Sequence, residues 1–128
     1  MKNVLLISHG KLAEGMLDTL SLFYGDLEDI DCLCLKPDQN PDDFRQQIEE
    51  KLKAFENEET IIVGDILGGT PLNQSAYFAN DKVTVLSGMN LGMLLDLISK
   101  RDLDTMNYDE SLESGKCSIV NLNKMMGA

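Results

Sequence analysis

Four short apolar runs, each followed by a segment whose apolar residues fall at helical spacing, set the strongest limit on what this chain can fold into. The runs are Val4-Leu5-Leu6-Ile7, Ile30 to Leu35, Thr60 to Gly64 and Lys82 to Leu86. Near-continuous apolar stretches of this length fit strands buried on both faces. Helical spacing follows each one. Leu12, Met16, Leu20 and Phe23 fall on one face of Lys11 to Phe23, and Phe44, Ile48, Leu52 and Phe55 fall on one face of the next helix. Thr70-Pro71 opens a short helix through Phe78, and Leu91, Leu94, Leu95 and Ile98 mark a fourth. This β-α-β-α-β-α-β-α alternation predicts an α/β fold: an open, doubly wound, mostly parallel sheet with helices on both faces. The common strand order 2-1-3-4 places strands one and three side by side.

Local chemistry punctuates that pattern. Asn40-Pro41-Asp42-Asp43 supplies a capping side chain, a proline at the first helical position and two acids at the positive end of the helix dipole. Thr70-Pro71 repeats the motif with Thr70 as the cap, and Asn90 caps the helix that closes in Lys100-Arg101. From Asp102 to Gly115 the chain is polar and acidic with one short helix, Ser118 to Leu122 reads as a last brief strand, and Met125 to Ala128 as a tail. With 128 residues and no linker or repeat, residues 1–128 are expected to form one domain.

Composition removes several function classes. A formal charge of -11 argues against binding nucleic acid or an anionic membrane surface. No stretch has the apolar length of a membrane span and no signal-peptide pattern precedes Val4, so a cytoplasmic protein without membrane insertion is expected. Three cysteines without a spaced framework are not a disulfide scaffold. Cys32 and Cys34 share one face of the second strand and read as buried thiols, and one histidine with Cys117 cannot complete a zinc site. The glycosylation sequon Asn73-Gln74-Ser75 is a chance match in such a chain.

The chemistry concentrates where strands one and three end. His9, the only histidine, follows the first strand in a Ser8-His9-Gly10 turn, and Asp65 follows the third. In an open parallel sheet, ligands collect in the crevice beyond such carboxyl ends, at the point where successive connections depart in opposite directions. An imidazole can attack with one ring nitrogen only while the other holds the proton, and a carboxylate such as Asp65 fixes that tautomer. Gly68, Gly69 and Thr70 add backbone N–H groups and a hydroxyl at a helix start, a site for an anion. Together these suit phosphoryl transfer onto and off His9. Each residue also has a plain structural reading: His9 and Asp65 as turn residues, Gly68-Gly69 as chain reversal, Thr70 and Asn90 as helix caps. The lysine and spacing of a nucleotide P-loop are absent.

Three segments, Ile7-Ser8-His9-Gly10, Gly64-Asp65-Ile66-Leu67-Gly68-Gly69-Thr70-Pro71-Leu72-Asn73 and Ser87-Gly88-Met89-Asn90-Leu91, together resemble the site loops of a known family. It is the mannose-family enzyme IIA component of the bacterial phosphoenolpyruvate-dependent sugar phosphotransferase system. The likeness covers nearly the whole chain, and its Asp-x-x-Gly-Gly-Thr-Pro-x-Asn segment is the specific part. The resemblance implies that His9 accepts a phosphoryl group from the phosphorylated histidine-containing phosphocarrier protein. It then passes the group to a separate IIB component, which serves a membrane sugar permease. Asp65 would orient His9, and Gly68, Gly69, Thr70, Asn73 and Asn90 would surround the phosphoryl group. No metal or cofactor is implied, because fixed dipoles already face the anion. The family also implies a homodimer, with Ser118 to Leu122 as a short antiparallel edge strand exchanged between subunits.

Other readings predict different behaviour. The related dihydroxyacetone-phosphorylation branch shares the fold and the histidine but typically differs at Gly68-Gly69-Thr70-Pro71. A receiver domain would phosphorylate Asp65 and need an acidic pair where Ser8-His9 stands. A phosphometabolite-sensing module would bind ligand without a covalent adduct, and a metal hydrolase would need more nitrogen ligands than one histidine supplies.

Overall fold

The structure, a computed structural model, describes residues 1–127. The chain forms two compact units, Met1–Met89 and Asn90–Ala128. In the first, β1 (Asn3–His9), α1 (Leu12–Tyr24), β2 (Ile30–Leu35), α2 (Pro41–Ala54), β3 (Thr60–Gly64), α3 (Thr70–Ser75), a single 3-10 turn (Ala76–Phe78) and β4 (Val83–Ser87) alternate along the chain. The four strands are all parallel in the order β2-β1-β3-β4, as the alternation predicts. Val4 pairs with both Ile30 and Ile61, and His9 lies opposite Leu35 at the open end of the β1–β2 ladder.

Side chains alternate across the sheet, so β1 feeds both faces. Leu5, Ile7 and Ile62 join Phe44 and Ile48 of α2 and Leu72 of α3 in one buried cluster, against which Leu52 and Phe55 also pack. Val4, Leu6, Ile61 and Val63 point the other way and are equally buried. Chain direction explains the layering: β1 to β2 runs one way across the sheet and β2 to β3 the other, so right-handed connections put α1 and α2 on opposite faces. Asn40 caps α2 as predicted, its Oδ1 accepting from Asp42 N at 2.8 Å with Pro41 at the helix start.

The structure departs from three local expectations. The apolar stripe of α1 is not Leu12, Met16, Leu20 and Phe23: Ala13 and Leu20 are buried, whereas Leu12 is 48% and Phe23 59% exposed. Small Ala13 lets the first turn lie close to the sheet, which rotates the buried face by one residue. The cap of α3 is Gly69 in an extended conformation, not Thr70, which is already helical. Cys32 and Cys34 are half-buried rather than buried, because β2 is an edge strand and neither face is fully covered. Burial, with Cys34 and Asp31 adding to it, still pushes the Cys32 thiol up to about 11.

The second unit contains α4 (Leu91–Lys100), α5 (Tyr108–Cys117) and α6 (Leu122–Met125). Each begins at an asparagine, Asn90, Asn107 and Asn121, whose side chain accepts a hydrogen bond from a first-turn N–H. Helices α4 and α5 pack so closely that a Cβ on Gly115 would lie 2.8 Å from the Met93 Cβ. Lys100 joins them by bridging Asp96 and Glu110, each at 3.1 Å. The antiparallel edge strand expected over Ser118 to Leu122 is absent: Ser118 ends α5, residues 119–121 are irregular and Leu122 begins α6. An isolated strand leaves its ladder groups unpaired, whereas Asn121 offers the segment a capped helical turn. Part of the expected tail is therefore helical at Met125, and Ala128 lies outside the described residues. Among the described residues, no helix is long and apolar enough to cross a membrane.

Candidate functional site

The register of the sheet creates the site. His9 is the last residue of β1 and Asp65 the first after β3, and the two strands are paired from Asn3–Thr60 to Ile7–Gly64. Neighbouring strand ends therefore bring together residues 56 positions apart. Asp65 Oδ2 accepts from the His9 ring Nδ1 at 2.8 Å and from the His9 backbone N at 2.9 Å, while Oδ1 accepts from Ile66 N at 2.9 Å.

An ionised carboxylate can only accept, so the proton lies on Nδ1 and the Nε2 lone pair is free. Burial, the largest single influence on Asp65, pushes its carboxyl up. The backbone and ring N–H bonds from His9, the Ile66 N–H and the His9 charge outweigh it, and the carboxyl sits below its ordinary range. The carboxylate is shielded and the ring is not: the Asp65 side chain is 11% exposed and that of His9 48%.

The glycine loop presses on the ring. A Cβ at Gly69 would fall 2.4 Å from His9 Cε1 and 3.0 Å from Nε2, so only glycine lets the loop approach the free nitrogen. Gly68, at φ +87°, makes the turn that leads there. Asn73 braces it, donating from Nδ2 to the Gly68 carbonyl at 3.2 Å, while its own N–H donates to Gly69 O at 2.9 Å. Thr70 stands at the first position of α3, and its hydroxyl makes no hydrogen bond among the described residues. Of the residues singled out by sequence, His9, Asp65, Gly68, Gly69, Thr70 and Asn73 thus lie at the end of β1 and between the end of β3 and the first turn of α3, all in the first unit. Asn90 opens the second unit, where its amide is engaged: Oδ1 accepts from Met93 N at 2.9 Å and Nδ2 donates to Gly115 O at 3.1 Å.

Two supporting residues escaped the sequence reading. Ser8, fully buried, donates from Oγ to Gly10 O at 2.9 Å and accepts from Ala13 N at 2.7 Å, pinning the turn that carries His9 to the start of α1. The signal was present, since a serine preceding a glycine turn and a helix start commonly bonds nearby backbone. Gly64 admits Leu72, whose Cγ would lie 2.4 Å from an added Cβ, and so lets α3 settle on β3. Among the described residues, no group of three or more His, Cys, Asp or Glu side chains is placed to hold a metal ion.

Comparison with known proteins finds relatives over nearly the whole chain. The profile of the family described as "PTS system fructose IIA component" (EIIA-man) matches residues 3–115. The chain is 29% identical to the sorbose-specific EIIA component of the phosphotransferase system of Klebsiella pneumoniae, covering 94% of this chain and 92% of that protein. Among solved structures, it resembles a PTS IIA protein associated with the fucose utilization operon of Streptococcus pneumoniae. That pair has a TM-score of 0.86 and 28% identity over 98% of this chain and 96% of the other. A phosphotransferase system EIIA component from Streptococcus agalactiae superposes with a TM-score of 0.85, at 27% identity over 97% and 99% of the two chains. The chain belongs to the EIIA-man family and is a component of a sugar phosphotransferase system.

Proposed function

On that membership, we propose that the protein is a phosphocarrier that receives a phosphoryl group on His9 Nε2 and hands it on. The observation that carries the reading is the bond between His9 Nδ1 and Asp65, which leaves Nε2 as the ring's free nucleophile. The Nε2 lone pair attacks phosphorus in line, the phosphorus–nitrogen bond of the donor's phosphohistidine breaks, and its electron pair stays on the donor nitrogen. The His9 ring, still protonated on Nδ1, gains positive charge that Asp65 balances. Backbone N–H groups of Gly68 and Gly69 and the Thr70 hydroxyl face the phosphoryl oxygens, and Asn73 keeps the loop in shape. Asn90 acts in this reading as the cap of α4. Reversal of the same displacement delivers the group to the acceptor.

The donor is the histidine-containing phosphocarrier protein and the acceptor a IIB component that serves a membrane permease, which places the exchange in the cytoplasm. The protein acts as a homodimer, for which the exposed apolar residues Ile119, Val120, Leu122, Met125 and Met126 supply contact surface. Removing the residues after Ser118 is expected to shift sedimentation from dimer to monomer; an unchanged dimer would take the contact elsewhere. The central test is intact mass after incubation with phosphoenolpyruvate, enzyme I and the donor protein. One acid-labile phosphoryl adduct is expected on the wild type and none on His9→Ala. An adduct that persists in His9→Ala would move the chemistry to another residue, and binding of a phosphometabolite with no adduct would make the protein a sensor.

A further inference from the structure

Strand β2 ends the four-stranded sheet, with β1 on one side and no strand of the sheet on the other. Successive residues of a strand turn their N–H and C=O groups to opposite sides, so an edge strand offers every second residue to the outside. The N–H groups of Val4 and Gly10 donate to the carbonyls of Asp29 and Leu35, so the odd-numbered residues face β1 and Cys32, Cys34 and Lys36 face outward. Two of those outward donors are taken by side chains. Asp31 Oδ1 accepts from Cys32 N at 2.7 Å, and Gln39 Oε1 accepts from Lys36 N at 3.0 Å. Helix α2 braces both caps: Lys51 Nζ donates to Asp31 Oδ2 at 2.7 Å, and Gln39 Nε2 donates to Gln47 Oε1 at 2.6 Å. Gln47 and Lys51 are four residues apart and so share one face of that helix. Between the caps, the Cys34 N–H has no acceptor among the described residues.

We propose that these braced caps make β2 a guarded edge, which keeps a second copy of this chain from adding a strand to the sheet on that side. The edge needs a guard, because Cys32, Leu33, Cys34 and Leu35 are all only half-buried and an unpaired apolar strand is a template for pairing. An arriving strand would find the Cys32 and Lys36 donors occupied. Its own carbonyl oxygens would face those of Asp31 and Gln39, the first of them charged, and seating it would break the ion pair with Lys51. Asp side chains that bond nearby backbone ordinarily belong to turns or caps. Asp31 instead lies within the ladder, paired in register with Leu5 while Cys32 pairs with Leu6, so its bond shapes no turn and covers an outward donor. The guard is independent of the chemistry at His9.

The test is run under reducing conditions, so that Cys32 and Cys34 form no disulfide between copies. Wild type is compared with Asp31→Ala, Gln39→Ala, the double variant and Glu50→Ala, which removes an exposed acid from α2 without touching a cap. In dilute protein, hydrogen exchange of the Cys32 amide should quicken about fivefold or more in Asp31→Ala, as the loss of one hydrogen bond gives. In concentrated protein, sedimentation of the double variant should show species larger than those of wild type, appearing at concentrations about tenfold lower, as 1.4 kcal/mol of relieved repulsion gives. The Cys34 amide should exchange more slowly in those species, because a second copy now covers it. Unchanged Cys32 exchange in Asp31→Ala would mean that the cap does not hold in solution and would overturn the proposal. Unchanged sedimentation of the double variant would overturn it too, as would larger species in which Cys34 still exchanges freely, since the contact then lies elsewhere. Equal association of Glu50→Ala would assign the effect to net charge and overturn it as well. If Asp31→Ala loses its fold, Lys51→Met keeps the cap and releases its brace. It should move both readouts in the same direction by a smaller factor, and no movement would refute the guard.

Discussion

The two ends of β1 are built from similar polar residues and do opposite things. At the amino end, Asn3 is fully buried, and its Nδ2 donates to the carbonyls of Asn57 (2.9 Å) and Glu59 (3.1 Å) and to Thr60 Oγ1 (2.9 Å). Asn57 returns the bond to Asn3 Oδ1 and reaches Asp29, both at 2.9 Å. The side-chain amides of Asn3 and Asn57 both find their acceptors within the unit, so the knot ties the strand ends together. At the carboxyl end, Ser8 is satisfied in the same manner, but one residue later His9 spends a single ring nitrogen on Asp65 and leaves the other open. Stability comes from completing hydrogen bonds out of water, reactivity from leaving one acceptor unused beside a fixed counter-charge.

Substitutions at the two ends should separate these roles. The largest effect is expected for Asp65→Asn, which offers an amide that can hold the wrong tautomer and cannot balance the charged ring. Phosphoryl transfer should slow by about 10³-fold or more, by analogy with triad aspartates, and rapid-quench transfer rates measure it. The same variant carries a pH signature. Because the folded-state pKa of Asp65 is lowered, its ionisation stabilises the fold above the unfolded value of about 4 and that contribution is lost as pH falls through the folded value. Asp65→Asn should therefore show a flatter decline of stability below about pH 4, seen in urea unfolding at successive pH values. A parallel decline would mean other carboxylates dominate.

At the closed end, Asn3→Ala should cost roughly 2–3 kcal/mol, since it strands the partners of several buried hydrogen bonds, yet leave the transfer rate within about twofold. Urea midpoints and transfer rates on one preparation decide it, and a large rate loss would break the contrast between the ends. Ser8→Ala is expected to be the smallest and the only mixed case. Losing the bonds to Gly10 and Ala13 should cost about 1–2 kcal/mol and slow transfer several-fold, because the turn that carries His9 loosens. Slowing without destabilisation would mean that Ser8 serves the site alone.

How much of this was legible depended on the range of the interaction. The four parallel strands and the α2 cap at Asn40 follow from neighbouring residues and periodicity, and the order 2-1-3-4, expected only as the common one for such an alternation, is the order the structure has. The pairing of His9 with Asp65 was legible because parallel strands deliver their ends to one edge. The rotation of α1 about Ala13 was not, since Leu12 and Phe23 are apolar enough to pass for a buried stripe and only the packing against β1 chooses. The last segment misled for a related reason: Ile119 and Val120 have strand propensity, but a strand needs a neighbour, and within this chain the cap at Asn121 wins locally. Asn73 and Asn90 looked alike as polar residues of site loops. One braces the glycine loop and the other caps α4, a division that depends on which backbone group lies within reach.

By itself, then, the sequence determined the alternating layers, the parallel sheet and the presence of a histidine and an aspartate at two strand ends, because those depend on residue type and spacing along the chain. Only the tertiary structure decided that Nδ1 and not Nε2 meets Asp65 and that Gly69 lies against the ring. Those are distances of a few ångströms between residues far apart in the chain, and hydrogen-bond direction and close packing are set there, where no local preference reaches.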